Sequence, residues 1–252
     1  MEARPLLKLL IEAGLGSRRR MADAIRRGRV QVNGEGVEGF SHLVDVEKDT
    51  VTVNGEVVEL RLEPLVYLML NKPAGVLSTT RDERGRRTVM DLLPGKYRGL
   101  RLYPVGRLDK DSTGLIILTN DGRLTYRLTH PRFEREKEYL VFIEGRLRPV
   151  DKERIRNGLQ LDDGMTCPAV LKEIEASPPF NYRIAIHEGR KRQVRRMFEK
   201  LGYPVLALKR VRIESLSLGK LGKGQTRELS AREVGKLLSG GSELLQHLPT
   251  SS

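Results

Sequence analysis

The sequence of 252 residues contains a single cysteine, and its four histidines are scattered along the chain. Cys167 therefore has no partner for a disulfide within the chain, and no Cys or His cluster at metal-ligand spacing surrounds it. We expect Cys167 to be a half-buried structural thiol. The spacing of His42, His130, His187 and His247 predicts no preformed metal site.

Long apolar runs are also missing. No run approaches the roughly 20 residues that a membrane-spanning helix needs, and the N-terminus lacks the apolar segment of a secretory signal peptide. The sequence thus predicts a soluble, cytoplasmic protein. Acidic residues are few, with 33 Asp and Glu against 46 Lys and Arg, for a formal net charge of +13. This excess favours a polyanionic partner, with nucleic acid the first candidate and a membrane surface the alternative.

Charge divides the start of the chain into two halves. Residues 1–34 carry eight Lys and Arg against three Asp and Glu, whereas residues 35–60 carry one against seven. Apolar spacing in the basic half predicts two short helices, the second capped by Ser17 and ended by Gly28. Two alternating segments that reach Asn33-Gly34 and Asn54-Gly55 predict strands followed by tight turns.

This pattern, with the run from Ser17 to Gly34, resembles the S4 RNA-binding domain. We assign the resemblance to residues 1–62. It departs from the family at Leu6-Leu7-Lys8, where an Asp commonly stands between Leu and Lys. A solvated arginine face is the alternative interpretation of the basic helix. Contacts to RNA phosphates are predicted for six arginines: Arg18, Arg19, Arg20, Arg26, Arg27 and Arg29.

The sequence changes at residues 63–65, where a short segment with a proline precedes an apolar run. This change predicts a linker over residues 63–65 and a second domain over residues 66–238. Helices are predicted at 190–201 and after the capping box Ser230 to Glu233. Many strands with few helices between them predict an α+β fold, not a doubly wound parallel sheet. The Gly- and Ser-rich residues 239–252 are expected to be disordered. Strands are predicted at residues 66–70, 113–118, 138–143, 182–186 and 204–213.

The most informative stretch runs from Gly106 to Asn120. It places Asp109, flanked by cations, immediately before an apolar strand. A surface turn with a solvated carboxylate is the simplest interpretation of such a short motif. A second hypothesis pairs Asp109 with Asp111 as in a glycosidase acting on RNA, although Lys110 stands between them. A third hypothesis is a non-catalytic protein that binds ribosomal RNA or assists assembly, and it requires only the basic surfaces.

Three motifs in order resemble the pseudouridine synthases that modify ribosomal RNA and carry an S4 domain: residues 106–120, 136–141 and 187–198. The resemblance implies a catalytic domain on a mixed, largely antiparallel sheet. It implies that Asp109 is the nucleophile, at C1′ or C6 of the uridine, and that Tyr139 lies against the uracil. It further implies that Arg190, at the start of a helix, pairs with Asp109 and keeps it ionised.

Isomerising uridine requires no metal and no redox cofactor, so none is expected. Residues 120–124 and 128–132 are similar to members that act on large-subunit 23S rRNA, with small-subunit 16S rRNA as the alternative. The expected partner is ribosomal RNA or a subunit assembly intermediate, without a membrane or an obligate protein partner. Further RNA contacts are predicted for Arg107, Lys191, Arg192, Arg195 and Arg196.

Overall fold

The computed structural model describes residues 3–37, 39–60, 64–175 and 179–240. The chain divides into two compact units, Met1–Leu65 and Val66–Ser252, at a boundary beside the predicted linker. The predicted disordered tail lies outside the described residues from position 241 onward. The predicted tail begins at Ser239, but the structure makes Ser239 the last residue of a helix that Gly240 caps.

The N-terminal unit packs its two helices against short strands. Ser17 accepts a hydrogen bond from the backbone N–H of Arg20 and so caps the second helix, as predicted. Asn33 and Asn54 have φ of 54° and begin the two tight turns, which confirms the Asn-Gly prediction. The elements are β1 Arg4–Pro5, α1 Leu6–Glu12, α2 Arg18–Arg26, β2 Val30–Val32, β3 Glu35–Gly36, β4 Leu43–Val44, β5 Val51–Val53 and β6 Glu56–Val57.

The C-terminal unit contains the five predicted strands, with ends that agree within two residues, and further elements that the sequence did not reveal. Its strands are β7 Tyr67–Lys72, β8 Tyr103–Val105, β9 Thr113–Thr119, β10 Lys137–Ile143, β11 Gln160–Leu161, β12 Gly164–Met165, β13 Val170–Glu173, β14 Tyr182–Ile186, β15 Val205–Ile213, β16 Leu216–Ser217 and β17 Thr226–Glu228. Its helices are α3 Gly122–Thr129, α4 Pro149–Asn157, α5 Gln193–Lys200 and α6 Ala231–Ser239, with short 3-10 turns at Val89–Leu92, Gly95–Tyr97 and Pro131–Phe133.

One sheet organises this unit. Its strand order is β13-β14-β10-β15-β9-β7-β17, with β8 paired to β9 and β16 to β15. Among the described strands of this sheet, β15 and β9 run parallel and the other pairs run antiparallel. The prediction of an α+β fold on a mixed, largely antiparallel sheet is confirmed. In the part of the chain that the structure describes, no helix is both long and apolar enough to cross a membrane.

Helices cover both faces of the sheet. Leu68 of β7 belongs to a core that includes Phe198 of α5 and Ile155 of α4. The next residue, Met69, faces the opposite side and joins a core with Leu124 of α3 and Leu237 of α6. Successive side chains of a strand point to opposite faces, so the central strands are buried on both sides. They form a rigid base for the loops at their ends.

Gly114 lets β9 approach β15 closely, immediately after the loop that carries Asp109. Its φ is +103°, and a Cβ at this position would stand 2.1 Å from the carbonyl oxygen of Arg210. We expect Gly114→Ala to lower the free energy of unfolding by about 2–4 kcal/mol, because both the backbone angle and the space exclude a side chain. Urea denaturation followed by circular dichroism measures this loss.

Gly122→Ala is the matched control, since Gly122 begins α3 and the nearest atom to an added Cβ is a Tyr103 hydroxyl at 3.7 Å. Its unfolding free energy is expected to change by less than about 0.5 kcal/mol. Equal effects of the two substitutions would contradict the close approach of β9 and β15.

Candidate active site

Asp109 lies in the loop at residues 106–112, between β8 and β9. Ser78 holds both backbone groups of the preceding residue: the Leu108 N–H donates to Ser78 Oγ at 3.1 Å, and the hydroxyl donates to the Leu108 carbonyl at 2.9 Å. On the other side, the Ser112 N–H donates to the carbonyl of Asp109 at 3.1 Å. The loop therefore fixes the backbone of Asp109 at both ends.

A buried lysine supports the same loop. Lys72 ends β7 with 0% of its surface exposed, and its ammonium donates to the carbonyls of Pro73 at 3.0 Å, Val76 at 2.8 Å and Lys110 at 3.3 Å. Burial lowers the pKa of Lys72 to about 8. Because Lys110 follows Asp109 directly, this ammonium ties the loop that carries Asp109 to the end of β7.

Asp109 and Tyr139 line one cavity of ≈ 860 Å³. This volume lies within the range of small-molecule and cofactor sites. Tyr139 of β10 is 8% exposed and is also part of the core. Acidic lining residues are Asp109, Glu134 and Glu188, whereas basic ones are Arg107, Arg135, Lys137, Arg190, Lys191, Arg192 and Arg210. The excess of cations makes the cavity suitable for an anionic ligand.

Among the described residues, Arg192 is the cation at ion-pair distance from Asp109. Its Nη1 lies 3.9 Å from Asp109 Oδ2 and 3.5 Å from Asp111 Oδ1. Asp111 also accepts Arg195 Nη2 at 3.2 Å. The side chain of Asp109 is 27% exposed and lines the cavity, whereas that of Asp111 is 54% exposed and does not belong to the described lining. The two carboxylates therefore have different surroundings.

The prediction that Arg190 pairs with Asp109 is wrong. The Arg190 guanidinium binds Glu188 Oε2 at 3.0 Å and the carbonyl of Gly164 at 2.9 Å, and it also donates to the carbonyl of Met165. Gly164 and Met165 belong to the β11–β12 hairpin, whereas Glu188 follows β14. Because they occupy the guanidinium, Arg190 lines the cavity edge as a structural link to that hairpin.

The predicted start of the helix at Arg190 is also wrong. Helix α5 begins at Gln193, and Arg192 before it has a left-handed backbone with φ of 51°. The Arg190 N–H donates instead to the side chain of Gln193 at 3.2 Å. Arg190 and Lys191 therefore belong to the loop before α5, and the left-handed residue turns Arg192 toward Asp109.

Two of the arginines predicted to face RNA bind other groups of the protein. Arg195 is 4% exposed and donates to the carbonyl of Val205 at 2.7 Å. Arg196 makes a bidentate ion pair with Asp163, with both contacts at 2.9 Å. The prediction that Arg195 lies toward the RNA backbone is wrong, because its guanidinium is buried and bound by the protein. Arg196 is partly exposed, and its contact with RNA stays a prediction. Arg107 and Lys191 are exposed and also line the cavity.

The six arginines of the N-terminal unit are all exposed: Arg18, Arg19, Arg20, Arg26, Arg27 and Arg29. Arg27 pairs with Asp23 at 3.0 Å, and the guanidinium of Arg26 lies 5.1 Å from the ring centre of Phe40. Their contact with RNA stays a prediction.

Cys167 is half-buried, as predicted, and lines the cavity. Its backbone N–H donates to Glu188 at 2.8 Å. Burial raises the pKa of the Cys167 thiol. Among residues 3–37, 39–60, 64–175 and 179–240, no group of three or more His, Cys, Asp or Glu is arranged to hold a metal ion.

Sequence reasoning missed Lys72, Ser78, Lys137 and Arg210. A signal exists for two of them. Lys72 ends the apolar run of β7, and Lys137 stands two residues before Tyr139, so its side chain leaves the same face of β10. Ser78 and Arg210 carry no local signal, because only the fold brings them to the loop and the cavity.

Comparison with known proteins identifies the class. The family model described as RNA pseudouridylate synthase matches residues 66–200. Ribosomal large subunit pseudouridine synthase B of Bacillus subtilis (strain 168) is 40% identical over 235 residues, which cover 92% of this chain and 94% of that protein. The protein of the same name from Vibrio cholerae is 41% identical over 240 residues, which cover 92% and 73% of the two chains.

A solved crystal structure of a pseudouridylate synthase superposes with a TM-score of 0.66 at 33% identity, over 93% of this chain and 99% of that one. The chain belongs to the RNA pseudouridylate synthase family, and the resemblance of its motifs to that family is confirmed.

Proposed function

We propose that this enzyme converts specific uridines of large-subunit ribosomal RNA to pseudouridine, with Asp109 as the nucleophile and without a cofactor. The observation that carries the proposal is the placement of a firmly held Asp109 and of Tyr139 on the wall of one cation-rich cavity. Relatives named ribosomal large subunit pseudouridine synthase B, which align with about nine tenths of the chain, support the choice of RNA.

The reaction redistributes bonds within the nucleotide. The Asp109 carboxylate attacks C1′ of the ribose, the C1′–N1 bond breaks, and its electron pair leaves with the uracil. The detached base turns until C5 faces C1′, and C5 then displaces the carboxylate. A base removes the C5 proton and N1 gains one, so the product is an isomer of the substrate. Attack at C6 is the alternative route, and it breaks the same C1′–N1 bond.

Each role follows from a position in the cavity. Arg192 places a positive charge beside the Asp109 carboxylate, with Nη1 at 3.9 Å from Oδ2. The ring of Tyr139 forms a wall against which the turning uracil stays in place, which keeps the reacting atoms close together. Arg107 and Lys191 hold phosphates of the RNA at the cavity edge. The uridine reaches the cavity by leaving its stack, at a cost of about a few kcal/mol.

The N-terminal unit is proposed to be an S4-like RNA-binding domain over residues 1–62, joined by the linker 63–65 to the catalytic domain. Its exposed arginines would bind phosphates of ribosomal RNA or of a subunit assembly intermediate in the cytoplasm. Such contacts contribute affinity that falls with salt, while the choice of uridine depends on the catalytic domain and on the shape of the RNA.

The test is tritium release from 5-tritiated uridine in unmodified large-subunit and small-subunit ribosomal RNA, offered separately. We expect release from the large-subunit RNA at a level of one or a few sites per molecule, and none from the small-subunit RNA. Release from small-subunit RNA alone would contradict the proposed substrate. Absence of release from both RNAs and from assembling subunits would contradict the proposed reaction.

A further inference from the structure

Two basic side chains of the cavity take no part in the steps above. The register of β10 and β15 places Arg210 directly opposite Tyr139, and Lys137 lies two residues before Tyr139 on the same face of β10. Both Lys137 and Arg210 line the cavity with Tyr139. Uracil held against Tyr139 would therefore lie beside both cations.

Arg210 has an unused donor. It is 3% exposed, and its Nε donates to the carbonyl of Leu115 at 2.7 Å. Its Nη2 is buried without a hydrogen-bond partner. A buried charged donor without a partner is rare and costly. An acceptor that arrived with the substrate and reached Nη2 would satisfy this donor.

Lys137 is similarly available. Its ammonium donates to the carbonyl of Arg135 at 2.8 Å, which leaves further protons for a ligand. Burial, together with the charge of Arg210, lowers the pKa of Lys137 to about 8. The charge of Glu214 acts in the opposite direction on the pKa of Lys137, but the ion pair of Glu214 is with Arg135 at 3.5 Å. Within the part of the chain that the structure describes, neither Lys137 nor Arg210 has a carboxylate within ion-pair distance.

We infer that Lys137 and Arg210 form an anion subsite that receives the negative charge of uracil when the C1′–N1 bond breaks. The inference rests on the proposed function. On either route the electron pair of that bond stays on the base, spread over N1, O2 and O4, and donors placed in a buried site stabilise such developing charge strongly. A phosphate of the flipped nucleotide has the same anionic chemistry, so the experiment must separate the two sources.

Lys137→Met removes one cation of the subsite, and Lys209→Met is the matched control. Lys209 lies on β15 beside Arg210 but does not line the cavity. Single-turnover tritium release at saturating enzyme and RNA affinity by filter binding are measured for both variants. We expect Lys137→Met to slow release about 10- to 100-fold with affinity unchanged within about twofold. Lys209→Met should match the wild type in rate.

The other outcomes overturn the assignment. Lys137→Met could instead weaken RNA affinity about tenfold and lower by about one the slope of log affinity against log salt concentration, while the rate at saturating enzyme stays the same. In that case the subsite holds a phosphate and not uracil. If neither quantity changes, there is no subsite. In both of these cases, tritium release by the wild type still supports the proposed function, so that the subsite alone is removed. Absence of release by the wild type would remove the function and the subsite together.

RNA with 5-fluorouridine at the target position provides a second readout. Fluorine makes the detached base a more stable anion, so the reaction needs less help from Lys137. C5 of this base carries fluorine and has no proton to lose, so the reaction ends with a rejoined base that keeps its fluorine. Consumption of the fluorinated nucleotide, followed by nucleoside chromatography, therefore reports bond cleavage and rejoining, and it should show a smaller defect for Lys137→Met than the normal substrate shows. Equal defects with both substrates, or a melting temperature lowered enough to account for them, would indicate a structural role and contradict the inference. Lys137→Arg should recover part of the rate.

Discussion

Asp109→Asn is expected to abolish pseudouridine formation while RNA affinity stays within about twofold of the wild type. An amide cannot act as the nucleophile, and loss of a group that forms a covalent intermediate typically costs about 10⁴-fold or more. The fold should tolerate the change, because the backbone of Asp109 is held by its neighbours Leu108 and Ser112 and its side chain lies 3.9 Å from Arg192. Single-turnover tritium release and filter binding on the same RNA measure the two quantities.

Asp111→Asn is the matched control for this prediction. Asp111 carries the same charge two residues away, binds Arg192 and Arg195, and does not belong to the described cavity lining. We expect the Asp111→Asn variant to keep its rate within about tenfold, since it loses only partly exposed ion pairs. Equal losses in the two variants would favour a pair of carboxylates. An unchanged rate in Asp109→Asn would favour a protein that only binds RNA.

Features that depend on neighbouring residues could be predicted from the sequence. The Asn-Gly turns, the Ser17 cap, the capping box at Ser230 and the buried strands all result from contacts or patterns within a few positions. The position of Asp109 in a loop before a buried strand is local in the same sense. Such features also identify the family, because its motifs are local.

Elements with a weak local pattern were missed. Helix α4 buries Asp151 and Ile155 among otherwise partly or fully exposed positions, so its sequence has little apolar periodicity. Helix α3 begins with Gly122, which suggests a turn, although Asp121 caps it by accepting the backbone N–H groups of Arg123 and Leu124. In both cases the helix depends on the sheet that it covers.

The choice among the arginines of the third motif could not be predicted, because spacing does not reveal which of several adjacent cations lies beside Asp109. The left-handed backbone at Arg192 decides the direction of that side chain. The β11–β12 hairpin, distant in sequence, binds Arg190. Arg210 reaches the cavity through the pairing of β10 with β15, which a single sequence does not specify.

Arg192→Ala is therefore expected to damage catalysis more than Arg190→Ala does. Loss of the charge beside Asp109 should slow single-turnover release about 100-fold, with RNA affinity changed by less than about threefold. The melting temperature should stay unchanged, because the Arg192 side chain is 37% exposed and makes only long ion pairs.

Arg190→Ala is the matched comparison within the same loop. It should instead lower the free energy of unfolding by about 1–3 kcal/mol, because the carbonyls of Gly164 and Met165 lose their donor. Its single-turnover rate of tritium release should fall only because the β11–β12 hairpin becomes less ordered. At a temperature where both variants are folded, this loss should be smaller than that of Arg192→Ala. The reverse order of rates, with an unchanged stability for Arg190→Ala, would restore Arg190 as the partner of Asp109 and would mean that the loop before α5 rearranges when RNA binds.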